Sequence, residues 1–299
     1  MVNDLTYVKN RIFNFETIGA FILRWKRHKH IHQAIREPIE RFFMNCVKRK
    51  YRQFDPKETL WKKISIGVVS TCNGTCSFCP STEMKRKPHT MGSKLYEQII
   101  QQLVDIDYAG EIGLNLQSDP FVIQDVIWRV NFAASKCPKA TVFLSTNGLA
   151  LTQEKYHAVL KQPNVRMLIN DYSQDGRKIK EVKSWNRTRT EKKRTFLVNK
   201  IEPNSVTNVS YFKSAFVLPL GQFCVAPFIQ LCVGPQGEGV ACCLDWKRYY
   251  EDGGDANEQS LKEIWGNSRM HIMRQNLLNN MRIGLCESCD MMGHRWSLK

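Results

Sequence analysis

The sequence predicts an α/β fold with a parallel sheet, and three observations support it. From Ile64 onward, short apolar stretches of strand character alternate with amphipathic stretches of helical length. Such alternation is typical of parallel strands joined by right-handed helical crossovers. The chain of 299 residues is long enough to bury a sizeable core. Its composition, 42% hydrophobic and 24% charged, is that of a folded protein rather than a disordered one.

The predicted elements follow one another in a regular order. Strands are predicted at Ser65–Thr71, Ile112–Gln117, Thr141–Ser145 and Val165–Asn170. Helices are predicted between them, at Ser93–Val104, Val122–Ser135 and Gln153–Leu160. Further candidates are strands at Arg194–Ile201 and Val206–Phe212 and one helix at Leu261–Asn279. Because parallel strands end at the same edge of a sheet, we expect the functional residues at their carboxyl ends.

Two basic segments account for the whole net charge of +16. Residues 1–63 contain 15 Lys and Arg against 6 Asp and Glu, and residues 176–194 contain 9 against 2. Within the first segment, apolar residues recur at helical spacing over residues 15–50, with a division at Pro38. This amphipathic region either lies on an anionic membrane surface or packs across the catalytic domain.

The second basic segment, Gly176–Arg194, is polar and weakly periodic, which predicts a loop or a mobile lid. Arg187 and Arg189 are candidates for bidentate contacts to a phosphate or diphosphate. The alternative is a solvated, flexible loop without a ligand. No RNA-binding motif with interleaved aromatic residues is found, so we expect no nucleic acid partner.

The chain contains 11 cysteines but no export signal and no apolar run of about 18 residues. We therefore expect a cytoplasmic protein, with peripheral membrane contact as an option, whose thiols stay reduced. Clustered cysteines in that compartment indicate metal rather than disulfides. Cys46, Cys137 and Cys232 stand alone and are expected to be small buried hydrophobic residues.

A first set of cysteines, Cys72, Cys76 and Cys79, directly follows the first predicted strand. Three thiolates at the spacing Cys-x3-Cys-x2-Cys can bind three irons of a [4Fe–4S] cluster and leave the fourth iron open. An open coordination position distinguishes a catalytic metal centre from a structural one. The alternative is zinc, which needs a fourth ligand such as His89.

These residues and their surroundings resemble the radical S-adenosylmethionine (SAM) superfamily over Ile64 to Cys289. The resemblance implies a partial (β/α)6 TIM-type barrel. It implies that the first cysteine set holds a [4Fe–4S] cluster whose open iron is chelated by SAM. Phe78 matches the aromatic position that packs near the adenine. Reductive cleavage of SAM would then release a 5′-deoxyadenosyl radical that abstracts a substrate hydrogen.

The resemblance extends to three strand ends. Thr146-Asn147-Gly148 is similar to the Thr-Asn-Gly of many relatives. Gln117-Ser118-Asp119-Pro120 occupies the place of the family's Gly-Gly-Glu-Pro, which implies that Ser118 and Asp119 engage the SAM amino group. Both glycines are missing here, and Glu is shortened to Asp. Asn170, Asp171 and Ser173 lie where relatives place polar groups for the ribose.

A second set of cysteines lies near the C-terminus and comprises Cys224, Cys242, Cys286 and Cys289. Four thiolates suit one closed cluster or tetrahedral zinc. With Gly237, five residues before Cys242, the set resembles the SPASM/twitch auxiliary-cluster domain. A full SPASM domain holds two clusters, but the cysteines here complete only one, as in a twitch domain. Cys243 is a rival ligand; Cys242 is favoured because it keeps the Gly-x4-Cys spacing.

The spacing is most similar to that of 2-deoxy-scyllo-inosamine dehydrogenases, which oxidise an aminocyclitol. The predicted function is therefore a radical SAM oxidoreductase acting on a sugar, aminocyclitol or sugar-nucleotide alcohol, with the auxiliary cluster taking the second electron. Expected partners are this small substrate, with or without a phosphate group, and an electron donor such as flavodoxin or ferredoxin. Alternatives are a peptide-modifying or RNA-modifying enzyme and a non-catalytic iron–sulfur or zinc scaffold docked to a membrane or partner.

The predicted domain organisation has three parts. Residues 1–63 form a basic helical extension, residues 64–215 the radical SAM core, and residues 216–299 the auxiliary-cluster domain. The sequence alone assigns no residue as the general base. His89, Asp171 and Asp175 are candidates by their position near strand ends.

Overall fold

The computed structural model describes residues 45–46, 48–76, 79, 84, 87–173, 175–186, 188–199, 223–248, 252–287 and 289. A single seven-stranded sheet lies at its centre, with the strand order β5-β4-β3-β2-β1-β6-β7. The strands are β1 (Lys63–Ile66), β2 (Glu111–Gly113), β3 (Thr141–Thr146), β4 (Val165–Asp171), β5 (Thr195–Asn199), β6 (Gln230–Val233) and β7 (Gly239–Val240). Neighbouring strands are parallel except β6 and β7. The predicted α/β fold with a parallel sheet is confirmed.

Helices connect and cover the strands. They are α1 (Ser93–Asp105), α2 (Val126–Lys136), α3 (Gln153–Leu160), α4 (Arg177–Trp185), α5 (Arg189–Arg194), α6 (Ala226–Ile229), α7 (Leu261–Gly266) and α8 (Ser268–Leu278). Short 3-10 turns occur at Pro120–Val122 and Gly284–Cys286. The 3-10 turn at Pro120 delays the start of α2 relative to the helix predicted from Val122.

The core lies between the sheet and its helices, as the apolar periodicity of α1 illustrates. One face of α1 buries Leu95, Tyr96, Ile99, Ile100 and Leu103. Burial of each such side chain contributes about 1.5–3 kcal/mol relative to exposure. Because these positions recur at intervals of three and four residues, only a helix brings all of them to the sheet.

The segment from Gly176 to Arg194, predicted as a loop or mobile lid, instead contains α4 and α5. Val182 and Trp185 of α4 are buried, so this basic segment covers part of the core. α5 begins with a reciprocal pair of hydrogen bonds between Thr188 and Glu191. Such a capping box satisfies two backbone donors and allows a helix of only six residues to form.

The single helix predicted over Leu261–Asn279 is divided in the structure into α7 and α8. Asn267 interrupts it with an extended ψ of 144°, and its side chain accepts the Arg269 N–H (2.8 Å). Asn is a strong N-cap residue, and the preceding Gly266 has low helix propensity. The Gly-Asn pair therefore ends one helix and starts the next.

The C-terminal segment belongs to the same sheet as the core. β6 pairs in parallel with β1, and the Gln230 side chain donates to Ser65 Oγ (2.8 Å) between the two strands. Trp265 of α7 packs against Trp61 and donates to the Thr59 carbonyl (2.8 Å). The predicted boundary at residue 216 therefore does not separate two independent sheets.

Most of the amphipathic region at residues 15–50 lies outside the described residues. Where the structure begins, Lys48 donates to Asn280 Oδ1 (2.9 Å). The following Tyr51 is buried against Phe223 and Phe228. In the described part of the chain, no helix has the length and apolar character needed to cross a membrane.

Candidate active site

The first cysteine set lies beyond the carboxyl end of β1, and its three thiols are half-buried. The Cys79 N–H donates to the Cys76 carbonyl (2.9 Å). The Gly74 N–H donates to Cys72 Sγ (3.4 Å). Burial raises the pKa of Cys76, and the nearby thiols of Cys79 and Cys72 raise it further. The set is thus closed into one turn with its sulfurs near one another.

Asn147, at the end of β3, faces this turn. Its Nδ2 donates to Asn73 Oδ1 (2.9 Å) and lies 3.7 Å from Cys72 Sγ. Its Oδ1 accepts the Leu149 N–H (2.8 Å). Gly148 adopts φ +80°, a conformation that residues with a Cβ rarely take. The Thr-Asn-Gly match therefore has a local function, which is to turn the chain and aim the Asn147 amide at the first cysteine set.

Asp119 holds this turn against the end of β2. Its carboxylate is buried (2% exposed) and accepts three hydrogen bonds, from Phe121 N (3.0 Å), Thr146 Oγ1 (2.8 Å) and Asn147 N (2.8 Å). Burial raises the pKa of Asp119, although these hydrogen bonds oppose the shift. The resemblance implied that Asp119 binds the SAM amino group. In this chain the shorter carboxylate is also engaged by two backbone N–H groups and the Thr146 hydroxyl, and its contact with SAM stays a prediction.

Two buried oxygen atoms near these strand ends have no partner in the described chain. They are Ser118 Oγ, after β2, and Asn170 Oδ1, in β4. The amide of Asn170 is oriented by a hydrogen bond from its Nδ2 to Ser145 Oγ (3.1 Å). An unsatisfied buried polar atom costs about 1–3 kcal/mol, so such atoms are expected to meet a ligand.

Ser173, a predicted ribose contact, is engaged at the start of α4. Its Oγ donates to Asp171 Oδ1 (2.5 Å) and accepts the Arg177 N–H (3.2 Å). Burial acts to raise the pKa of Asp171, but hydrogen bonds from Ser173 and Ile179 outweigh it and lower the pKa. Hydrogen bonds from Ser173 and Arg177 lower the pKa of Asp175. Both carboxylates therefore accept hydrogen bonds near the start of α4. Their lowered pKa makes each a weaker base, which disfavours a general-base function.

Tyr172 is a site residue that the sequence analysis missed. Burial raises its pKa above the usual range, and the charges of Cys76, Cys79 and Cys72 raise it further. The ring therefore lies beside the first cysteine set. Tyr172 is two residues beyond Asn170, and this period-two spacing at the end of a strand was the available signal.

Two other expected site residues receive no support from geometry. Phe78 lies outside the described residues. The His89 side chain is exposed, and its backbone pairs with Ser70 in both directions (2.8 and 2.9 Å). Among the residues that the structure covers, no group of three or more Cys, His, Asp or Glu side chains is arranged to hold a metal ion. A [4Fe–4S] cluster makes a different demand, because each thiolate binds a separate iron.

The second cysteine set is brought together by α6, the loop after β7 and the 3-10 turn at Gly284–Cys286. Cys224, Cys242 and Cys286 pack against one apolar cluster, and Cys242 also packs with Cys289. Burial raises the pKa of Cys224 to about 12 and that of Cys286 to about 11. Four crowded thiols that are partly or fully buried lose their protons only when positive charge compensates, and a cluster core would provide that charge.

The neighbouring cysteines Cys242 and Cys243 differ in their surroundings. Cys242 Sγ accepts the Leu244 N–H (3.4 Å), the same arrangement that Gly74 makes with Cys72. Burial raises the pKa of both thiols, so their pKa shifts do not distinguish them. Cys242 packs in the apolar cluster that also contains Cys224 and Cys286, whereas Cys243 packs with Leu244 and Cys289. The geometry therefore favours Cys242 as the ligand.

Gln117 connects the segment after β2 to the cysteine-bearing loop after β7. Its Nε2 donates to the Cys243 carbonyl (3.0 Å). This contact gives a physical reason for the departure from the family's glycine, because a residue without a side chain cannot make it. In the sequence, Gln117 is a departure from the family's motif. In the structure, its side chain joins the segment after β2 to the cysteine-bearing loop after β7.

The candidate phosphate contacts are not confirmed by the geometry. Arg187 and the side chain of Arg189 lie outside the described part. The Arg194 guanidinium donates to the carbonyls of Leu160 (2.8 Å) and Gln162 (2.6 Å). Arg194 therefore stabilises the end of α3, where cations are favourable.

Comparisons with known proteins agree with this arrangement. Residues 224–290 match the SPASM iron–sulfur cluster-binding domain. The chain is 23% identical over 241 residues to the S-adenosyl-L-methionine-dependent 2-deoxy-scyllo-inosamine dehydrogenase of Niallia circulans, covering 78% of this chain and 94% of the relative. The crystal structure of BtrN in complex with AdoMet and 2-DOIA superposes with a TM-score of 0.66 at 22% identity and the same coverage. BtrN in an open conformation gives a TM-score of 0.61 at 20% identity, again with the same coverage.

Residues 224–290 form a SPASM-type iron–sulfur cluster-binding domain, and the chain is similar over 78% of its length to an S-adenosyl-L-methionine-dependent enzyme. An iron–sulfur cluster and SAM are therefore the groups that this similarity implies. The described residues fit both groups. The orphaned oxygens of Ser118 and Asn170 suit a polar ligand, and the two cysteine sets suit an open and a closed cluster.

Proposed function

We propose that the enzyme dehydrogenates a secondary alcohol of an aminocyclitol or a related sugar, including nucleotide-linked sugars. The observation that carries the proposal is the complete second cysteine set, in which Cys224, Cys242 and Cys286 are half-buried against one apolar cluster and Cys289 is buried. The similarity to a 2-deoxy-scyllo-inosamine dehydrogenase supports the same reaction class.

We propose the following division of work at the first cysteine set. When bound, the cluster and SAM supply the means to abstract one hydrogen atom from a substrate carbon. Cys72, Cys76 and Cys79 bind three irons and leave the fourth for SAM. Ser118 and Asn170 present their unpartnered oxygens to polar groups of SAM. Phe78 packs near the adenine, and Ser173 reaches the ribose only if its contact with Asp171 opens.

The second cysteine set completes the electron balance. Oxidation of a carbinol to a carbonyl removes two electrons and two protons. Loss of one hydrogen atom accounts for one electron and one proton, so the second electron needs an acceptor and the hydroxyl proton passes to water. A cluster held by Cys224, Cys242, Cys286 and Cys289 has no open iron and is suited to electron transfer rather than to binding substrate.

The remaining partners are proposed from surface charge. Exposed basic residues Arg177, Lys180 and Lys183 lie on α4, which begins beside the strand ends. This surface suits a phosphorylated substrate or an acidic electron donor such as flavodoxin or ferredoxin. Contact of residues 15–50 with an anionic membrane is a separate proposal, which predicts binding that weakens with salt.

The function is tested by deuterium transfer. The reconstituted enzyme, a reductant and SAM are incubated with 2-deoxy-scyllo-inosamine deuterated at its carbinol carbons. We expect deuterium in 5′-deoxyadenosine and formation of the corresponding ketone. Inositols, sugar nucleotides and peptides serve as comparison substrates. Transfer from a peptide alone would contradict the alcohol substrate, and no 5′-deoxyadenosine under any condition would contradict radical SAM catalysis altogether.

The choice between the adjacent cysteines is tested by matched alanine variants. Cys242→Ala is expected to lower the iron content from about eight to about four per chain, because it removes a ligand of the closed cluster. Cys243→Ala is expected to keep about eight. Iron and sulfide analysis of both proteins gives the answer. Loss of iron in Cys243→Ala alone would reverse the assignment.

A further inference from the structure

Arg248 lies between the segment after β2 and the cysteine-bearing loop after β7, and it is held by three hydrogen bonds. Its Nη1 donates to Gln117 Oε1 (2.8 Å) and to the Asp245 carbonyl (2.6 Å). Its Nε donates to Glu238 Oε1 (3.2 Å). Gln117 in turn contacts the Cys243 carbonyl. The guanidinium is thus fixed by the segment after β2 on one side and by the cysteine-bearing loop after β7 on the other.

One edge of this guanidinium is unused. The Arg248 side chain is 15% exposed, and its Nη2 is buried with no hydrogen-bond partner in the part of the chain that the structure describes. Glu238 engages Nε alone, so the pair is not the two-bond fork that would occupy both edges. A buried cationic donor without an acceptor is unfavourable, and a ligand oxygen would remove that cost.

The backbone indicates that this placement is specific. Arg248 has φ +56°, one of three positive values among non-glycine residues of the described chain. Such a conformation is uncommon for a long side chain and persists where the surroundings impose it. The loop therefore accepts local strain while three fixed partners hold the guanidinium.

We propose that Arg248 Nη2 donates a hydrogen bond to a hydroxyl oxygen of the alcohol substrate. The inference rests on the proposed function, and it adds a specificity residue between the segment after β2 and the loop that bears Cys242 and Cys243. Gln117, which orients the guanidinium, immediately precedes Ser118 with its own orphaned oxygen. A cyclitol or sugar carries several hydroxyl oxygens, and any of them can accept a hydrogen bond from Arg248 Nη2.

The test compares Arg248→Lys and Arg248→Gln with the wild-type holoenzyme, using 2-deoxy-scyllo-inosamine as the probe. We expect KM for the probe to rise about tenfold or more, because a charge-assisted hydrogen bond is lost. Iron content, SAM affinity and 5′-deoxyadenosine formation without probe are expected to stay at wild-type values. Wild-type values of these three quantities would show that the variants have lost substrate binding and not their fold or cofactors.

Two controls make the outcome decisive. Lys247→Gln changes the adjacent exposed cation, which lies over Trp246, and should leave KM unchanged. Glu238→Gln weakens the ion pair but keeps Nη2, so it should raise KM far less than the Arg248 variants. Wild-type KM in both Arg248 variants, or iron loss that accompanies their defect, overturns the inference while the dehydrogenase function stands. A wild-type enzyme that neither binds nor oxidises the probe overturns both.

Discussion

Replacement of Cys76 by alanine is expected to reduce 5′-deoxyadenosine formation to background. The variant lacks one of three thiolates that fit the open cluster, so SAM has no iron to bind. The reconstituted protein should retain about four irons per chain from the second cysteine set. Fold stability should fall by only about 1 kcal/mol, because the side chain is half-buried and small. Chromatographic detection of 5′-deoxyadenosine, with iron analysis, measures both effects.

Cys137→Ala provides the matched control. This thiol is buried at the end of α2, and burial raises its pKa to about 11, so it is a protonated apolar residue rather than a ligand. The control should keep about eight irons and wild-type SAM cleavage. Undiminished cleavage in Cys76→Ala would contradict the assignment of the first cysteine set.

Asp119→Ala is expected to destabilise the protein by about 3–5 kcal/mol. The substitution leaves three donors without their acceptor, namely Phe121 N, Thr146 Oγ1 and Asn147 N. Each unsatisfied buried donor costs about 1–3 kcal/mol, and the costs are not fully additive. The Asn147 amide should also lose its fixed position beside Cys72. Denaturant unfolding of wild type and variant measures the free-energy difference.

Asp105→Ala is the control for this experiment. Asp105 is exposed at the end of α1, where its carboxylate accepts a hydrogen bond from Gln101 (2.8 Å). A negative charge is unfavourable at a helix C-terminus, so the change should stay within about 0.5 kcal/mol. If Asp119→Ala cost no more than this control, the carboxylate would not be the element that holds the turn after β3.

The local sequence was sufficient where the signal was periodic or depended on spacing. The alternation of apolar stretches predicted β3, β4 and β5 close to their observed bounds. The Cys-x3-Cys-x2-Cys spacing located the first cysteine set directly after β1.

Two helix boundaries were predicted wrongly although their capping residues are local signals. Thr188 with Glu191 starts α5, and Asn267 divides α7 from α8.

The sequence by itself determined the residue types of the site, because thiolate count and spacing decide which cluster a segment can hold. Only the tertiary structure decided how those residues are used. Asp119 accepts hydrogen bonds from two backbone N–H groups and the Thr146 hydroxyl, and Gln117 reaches the Cys243 carbonyl across 126 positions of chain. Arg248 became a candidate because its buried edge has no partner in the described chain. Which donors and acceptors are paired depends on contacts between segments that lie far apart in the sequence. No local pattern of residues therefore predicts the pairing.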